Sequence, residues 1–325
     1  MRPLPVSLKL SEIFRTNRSV LPNDLGQRTV NLVTIRQLQV FLAVARSESL
    51  AEAARELFMS KSAVSQALSE LQSRLVVRLF EKSRGRLFLT EEGRRLMPQA
   101  DETVRRAADI PTLFGAGAGH GSLRTGCSLT VGAFMIAGLL KDFEDAYGWI
   151  PSVTIANTHD LTERLKNFEI DTALVEGPAF DADLVSEPWM TDEMTVLVPA
   201  DHPLAGRRAG YEELSGERWV LRETDSASRL FFETQLRPRL SSAQVHCELN
   251  SFDAVLSAVR QGLGITFVSG RALEDPFYGR FFARVELPER FVRQLSFCRR
   301  RDKYRSGDEQ LWIENCRAYA ARQQL

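Results

Sequence analysis

Residues 49–71 read SLAEAARELFMSKSAVSQALSEL and contain two short helical patterns three or four residues apart. Ala51, Ala54, Leu57 and Phe58 recur at helical spacing and give the first pattern a narrow apolar stripe. Alanine dominates that stripe, so a second helix can come close. After Met59-Ser60-Lys61 the second pattern puts Ala63, Val64, Ala67, Leu68 and Leu71 on one face. Its other face carries Ser62, Ser65, Gln66 and Ser69, small hydrogen-bonding side chains with little net charge. Such a surface suits a helix laid against base edges better than one facing only water. The pair reads as a helix-turn-helix with Ser62 to Arg74 as the recognition helix. Taken alone, the same residues also fit an ordinary helix pair in a bundle.

The flanks decide between these. Upstream, Ile35, Leu38, Phe41, Leu42 and Ala45 form an amphipathic pattern able to complete a three-helix core. Downstream, Leu79-Phe80 and Leu87-Phe88-Leu89 enclose a basic turn with Gly85, which predicts a hairpin, the wing of a winged helix. Arg74, Arg78, Lys82, Arg84 and Arg86 face only Glu81 in this stretch. A turn that basic beside a helix-turn-helix belongs against phosphates or in a minor groove.

In this order the residues resemble the LysR-type transcriptional regulators. The resemblance rests on Ala53-Ala54-x-x-Leu57, the serine-rich run Ser60 to Ser65, Leu79-Phe80, and Leu89-Thr90-x-x-Gly93. It extends from about Ile35 to the C-terminus. It implies an α/β chain with an N-terminal winged helix-turn-helix, a long linker helix and a two-lobed, periplasmic-binding-protein-like effector domain. It also implies that Lys61, Ser62, Ser65 and Gln66 approach the major groove, while Arg84 and Arg86 serve phosphate or the minor groove. The implied partners are double-stranded promoter DNA, a second copy of the chain (a dimer, then a tetramer), a small-molecule anion and RNA polymerase. One position departs: Val76 stands just after the recognition helix, where the family usually has glycine. A β-branched residue at a left-handed helix end costs on the order of 1 kcal/mol.

The 325 residues, with 42 basic and 42 acidic side chains, suggest two or three domains. Zero net charge leaves DNA binding open, because the basic residues are clustered. Cys127, Cys247, Cys298 and Cys316 are far apart with no CxxC pair, which argues against zinc and fits a reducing cytoplasm. No apolar run is long enough for a membrane span. The expected location is the bacterial cytoplasm, with the nucleoid. Residues 1–33 show no sustained period and read as a mobile tail with a short helix at Ser11 to Arg15; Val33 is a candidate for the true start.

From Thr90-Glu91-Glu92, a capping residue with acids behind it, a helix opens. Leu96, Ala100, Thr103, Ala107, Ile110 and Phe114 form a heptad seam, interrupted early by Pro98, which should kink it. The seam predicts pairing with a second copy; packing on the chain's own effector domain is the alternative. Gly115 to Gly121 reads as a flexible hinge and does not match a dinucleotide fingerprint. The expected division is therefore 34–90 for DNA binding and 91–121 for linker and hinge. The effector domain takes 122–325, with lobe 1 near 122–198 and 289–325 and lobe 2 near 199–288.

From Leu123 onward strands and helices alternate. Strands are predicted at Val153 to Ala156, Thr172 to Val175, Glu193 to Val198, Trp219 to Leu221, Val245 to Glu248, Ile265 to Val268 and Gln294 to Arg299. Pro199 to Pro203 is predicted as a polar crossing, and one helix is predicted from Ser128 to about Tyr147. Hydroxyl or amide residues follow strands at Ser128 and Thr130, at Asn157 and Thr158, and at Thr224 and Ser226; Ser251 resembles them. Helix N-termini converging on one cleft favour an anion, although each such residue alone is more simply an N-cap. The resemblance points to a small inorganic oxyanion or organic acid as effector, with no cofactor and no metal. The family's R-E-x-G-S-G-T-R loop here has Asp225 and lacks both glycines, which changes the charge of that loop.

His120, His159, His202 and His246 stand in unrelated contexts, and there is no HExxH pair, nucleophile elbow or P-loop, so no enzyme is expected. A transporter's solute-binding protein would have a signal peptide and no DNA-binding module. A DNA-binding scaffold with a ligand-free, vestigial effector domain remains as the second reading.

Overall fold

The computed structural model describes residues 32–111, 123–177 and 181–323. The helix expected at Ser11 to Arg15, Phe114 and the glycine-rich stretch 115–121 lie outside the described residues. The N-terminal helices are α1 (Ile35–Ser47), α2 (Leu50–Glu56), α3 (Lys61–Leu75) and the long α4 (Glu91–Asp109). Each starts at a hydroxyl that accepts a hydrogen bond from a first-turn backbone N–H: Thr34, Ser49, Ser60 and Thr90. Phe41, Ala54, Val64 and Leu71 enter their common core as the periodicity predicts, together with Val44 and Ala53. Ala51 and Phe58 of the predicted α2 stripe are instead exposed, because α2 ends at Glu56 and turns Ala53 and Ala54 inward. Strands β1 (Phe80–Ser83) and β2 (Arg86–Leu89) make the wing hairpin. Its two-residue loop, Arg84-Gly85, has φ +48° and +85°, the sign pattern of the turn that matches strand twist. Val76 ends α3 in the left-handed region at φ +56°, where the missing glycine predicts strain.

The effector domain alternates elements as expected: β3 (Arg124–Cys127), α5 (Leu129–Phe134), α6 (Ile136–Tyr147), β4 (Ser152–Ile155), α7 (Thr158–Lys166), β5 (Thr172–Glu176) and β6 (Leu184–Pro199). Then come α8 (Tyr211–Ser215), β7 (Arg218–Arg222), α9 (Ala227–Phe231), β8 (Gln244–Leu249), α10 (Phe252–Arg260) and β9 (Thr266–Ser269). The chain closes with α11 (Pro276–Gly279), β10 (Phe282–Val285), β11 (Phe291–Arg300) and α12 (Gly307–Gln323). Lobe 1 is the parallel set β4-β3-β5 with α5, α6, α7 and α12; lobe 2 is the β7-β8 pair with α8, α9 and α10.

Three expectations change. The strand predicted at Glu193 to Val198 is the end of a sixteen-residue strand whose first part, Leu184 to Met194, pairs antiparallel with the whole of β11, and whose end pairs with β9 and β10. These two long strands carry the chain between the lobes, so the crossing is ordered sheet and not the segment Pro199 to Pro203. Pro188 and the acidic pair Asp192-Glu193 break the apolar alternation, which hides the strand's first half in the sequence. The helix predicted from Ser128 breaks at Met135 (φ −127°) into α5 and α6. Strand β10, which the sequence reading omits, pairs with β6.

Helix α4 runs unbroken through Pro98 and docks on lobe 1 of its own chain. Arg105 is buried, pairs with Asp101 at 2.7 Å and reaches Asp171 at 2.5 Å. Asp171 also accepts from Lys303 at 2.7 Å and from both the side chain and the backbone N–H of Arg124 at 2.9 Å. Burial raises the Asp171 carboxyl, but Lys303, Arg105 and Arg124 outweigh it and hold the group far below the usual carboxylate range. Asp109, the last residue of α4 and one turn beyond Arg105, accepts from the Tyr304 hydroxyl at 3.1 Å, and Arg106 stacks over the Tyr304 ring. The packing alternative for this helix is therefore present in the fold.

Candidate DNA-binding face and effector cleft

Lys61, Ser62, Ser65 and Gln66 are all exposed on the outer face of α3, within its first two turns. Their opposite neighbours Val64 and Leu68 are buried, so burial fixes which face looks outward. The Ser60 hydroxyl caps the helix and lies 3.0 Å from that of Ser62, while the Gln66 amide donates to Glu70 at 3.0 Å. Arg84 and Arg86 are exposed on the wing, and Arg86 pairs with Glu48 at 3.3 Å. A polar helix face and a basic hairpin on one small domain can divide base edges from phosphates.

The seam on α4 is split. Ala100 is fully buried against the three-helix core and Leu96 is half-buried on it. Thr103 is exposed, Ala107 half-buried, and Ile110 exposed at 52 %. The outward part of the seam is thus its C-terminal half.

Between the lobes, Ser128, Thr130, Asn157, Thr158 and Ser226 line one narrow cleft, with only about 10 Å³ of free space. Ser128 and Asn157 also act as N-caps of α5 and α7, so the simpler role holds for them alongside the shared location. Thr224 is exposed and does not line the cleft; Ser228, buried one turn along, does.

Two charged groups missed by sequence reasoning dominate this cleft. Arg293, from the middle of β11, is 5 % exposed. Its guanidinium donates to Thr130 of lobe 1 at 3.0 Å and to Ser228 of lobe 2 at 3.1 Å. It is held by Asp192, its cross-strand neighbour on β6, through two contacts of 2.8 Å. Glu176, at the end of β5, accepts from the Thr158 hydroxyl at 3.4 Å and lies 3.6 Å from Arg293. Arg222 lines the opposite wall and is clamped by Glu223 at 2.7 Å. The cleft therefore offers hydroxyl donors, a cation that touches both lobes and one carboxylate acceptor. All four cysteines are free, and burial pushes the Cys127 thiol up to about 12 and Cys298 to about 11, so neither is held as a thiolate. Among the described residues there is no cluster of metal-ligating side chains, and no helix is long and apolar enough to cross a membrane.

Comparison with known proteins agrees with this anatomy. Residues 35–94 match the family model for the bacterial regulatory helix-turn-helix protein of the lysR family, and 116–321 match the LysR substrate binding domain. The chain is 32% identical over 286 residues to the "Uncharacterized HTH-type transcriptional regulator YeiE" of Escherichia coli K12, covering 87% of this chain and 97% of that one. Full-length OxyR from Pseudomonas aeruginosa, a cysteine-to-aspartate variant, is similar in structure with TM-score 0.71 and 21% identity, over 88% of this chain and 95% of that chain. The regulatory domain of CcmR from Synechocystis PCC6803, in complex with 2-PG, has TM-score 0.58 and 25% identity, over 62% of this chain and 98% of that chain. With a winged helix-turn-helix, a linker helix and a two-lobed effector domain in one chain, the protein belongs to the LysR family of transcriptional regulators.

Proposed function

We propose that this regulator binds promoter DNA as a homo-oligomer, and that a small anion held in the interlobe cleft modulates the binding. The observation that carries the reading is Arg293, a buried cation whose hydrogen bonds reach hydroxyls of both lobes. An anion at Arg293 takes donors from Ser128 and Thr130 on one side and from Ser226 and Ser228 on the other. It contacts both lobes only when they are closed, so it favours closure by its differential affinity for that state. Glu176 narrows the chemistry. A fully deprotonated oxyanion meets its carboxylate unfavourably, whereas an anion that also carries an O–H or N–H can donate to it. The similar domain of CcmR, which holds 2-PG, supports a small-molecule occupant. In this reading Lys61, Ser62, Ser65 and Gln66 read bases, Arg84 and Arg86 contact backbone, and Thr103, Ala107 and Ile110 face a second copy.

The second reading, a regulator whose effector domain takes no ligand, is favoured by the same cleft: its charges are internally paired and little space remains. Thermal-shift screening against small anions, followed by DNA binding titrated with the best of them, separates the two. Thr130→Ala removes a hydroxyl from the anion and should weaken it by about 1.5–3 kcal/mol, with ligand-free DNA affinity unchanged. Equal responses in wild type and variant place the ligand elsewhere; no stabilising anion at all supports the ligand-free regulator.

A further inference from the structure

Beside strand β6 lies a recess of about 260 Å³, lined by Arg271, Arg284 and Arg290 together with Asp192, Glu193 and Glu274. Its hydrogen bonding is unusual. The Arg271 side chain is only 14 % exposed, and its guanidinium makes no hydrogen bond among the described residues. The closest carboxylates stand off, Asp192 at 3.9 Å and Glu274 at 3.6 Å. Asp192 is turned to other donors: Arg293 on one oxygen and the Ser269 hydroxyl, at 2.6 Å, on the other. Arg284 likewise makes no side-chain hydrogen bond among the described residues, its nearest acid being Glu193 at 3.6 Å. Arg290 alone is bonded, to Glu193 at 2.7 Å. Gly270 permits this crowding, because a Cβ there would lie 2.7 Å from the Arg284 guanidinium.

A guanidinium carries five N–H donors in a fixed plane, and sheltering them without acceptors is costly. The sheltered Arg271 and the part-exposed Arg284 face one recess and match an anion with several oxygens, which each fork can grip in bidentate fashion. Asp192, Glu193 and Glu274 match the three guanidinium charges in number but, standing 3.6 to 3.9 Å from Arg271 and Arg284, leave the donors of these two open. We infer that this recess is a second anion site, distinct from the interlobe cleft, which takes a small oxyanion through Arg271 and Arg284. The site also lies one carboxylate away from the cleft, since Asp192 stands between Arg271 and Arg293.

The test is equilibrium dialysis of labelled inorganic phosphate against the full chain at low ionic strength. Wild type should retain phosphate that Thr130→Ala also retains. Arg284→Gln should weaken it about tenfold or more, the loss of charge-assisted bonds, and Arg284→Lys should recover part of it. Arg284 is 43 % exposed, so its variants remove little packing; thermal melts matching wild type verify the fold. Arg271→Gln should act in the same direction as Arg284→Gln. The proposal is overturned if all bound phosphate disappears with Thr130→Ala, or if folded Arg284→Gln binds phosphate as wild type does. The Thr130→Ala arm keeps a failure of the cleft reading apart from a failure of this one.

Discussion

Glu309→Gln should stabilise lobe 1 in alkaline solution and leave it nearly unchanged in acid. Glu309 is 1 % exposed in the first turn of α12, and one of its carboxylate oxygens has no hydrogen-bond partner among the described residues. Burial is the main cause that pushes its carboxyl up to about 7; Asp171 adds to this, while Lys303, Arg299 and Arg105 oppose it. An acid whose folded pKa exceeds its unfolded one holds its proton more tightly when folded. The folded state therefore has its full advantage below about 4.5 and loses it progressively as pH rises through about 7. That interval corresponds to about 3 kcal/mol at pH 8, as an upper bound. A neutral glutamine cannot ionise, so Glu309→Gln avoids this loss. Trp149, Trp189 and Trp312 all belong to the lobe 1 core, and their fluorescence follows its urea unfolding. The midpoints of wild type and variant should nearly coincide at pH 4.5 and separate by pH 8, the variant being the more stable. Parallel pH profiles would show that Glu309 is already ionised and well solvated in the fold, and the reasoning from burial would fail.

Asp171→Asn leaves Arg105 and Lys303 buried with less compensation and should cost about 3–5 kcal/mol, read by urea unfolding. Val76→Gly relieves a left-handed β-branched residue that is 86 % exposed, and should raise the stability of the DNA-binding domain by about 1 kcal/mol in the same assay. Gln66→Ala should change preference at particular base pairs by about 1–3 kcal/mol, whereas Arg84→Ala should weaken all sequences together and flatten the salt dependence of binding. Replacing Ala107 and Ile110 together by Asp should dissociate the oligomer in sedimentation; a fully associated double variant would move the interface off α4.

The DNA-binding half was legible because its signals are local. Capping hydroxyls, the 3.6-residue period and an Arg-Gly turn each act within a few residues, and Phe41, Val64 and Leu71 are buried where the pattern puts them. The cleft was half legible for the same reason. Ser128, Thr130 and Asn157 follow strands directly, whereas Arg293 and Glu176 enter through strand register, which no local pattern encodes. Arg293 sits in an alternating strand like any outward-facing arginine; only its pairing opposite Asp192 turns it into the cleft. Thr224 and Ser228 differ by one helical turn in a loop that departs from the family pattern, and the choice between them depends on where α9 starts. The seam on α4 was ambiguous because one helix face serves two neighbours: Ala100 goes to the core and Ile110 to the outside.

The paired strands β6 and β11 give the effector domain the mechanics of a flexure and not of a joint. Two loops between lobes would permit twist, slide and bend alike. A ladder of backbone hydrogen bonds resists sliding, because any slip moves every side chain to the wrong face, and it resists separation. Bending of the sheet, eased where the register shifts at Leu295/Ser296, is the soft coordinate that remains. Arg293 and Asp192 face each other across this ladder, so the cation that grips both lobes is rooted on the bending axis itself. The anion proposed for this cleft would work at the fulcrum, where a small displacement becomes a larger swing at the ends of the lobes. The amides of both strands should accordingly keep their hydrogen-exchange protection in the open and closed states, while the lobe rims change theirs.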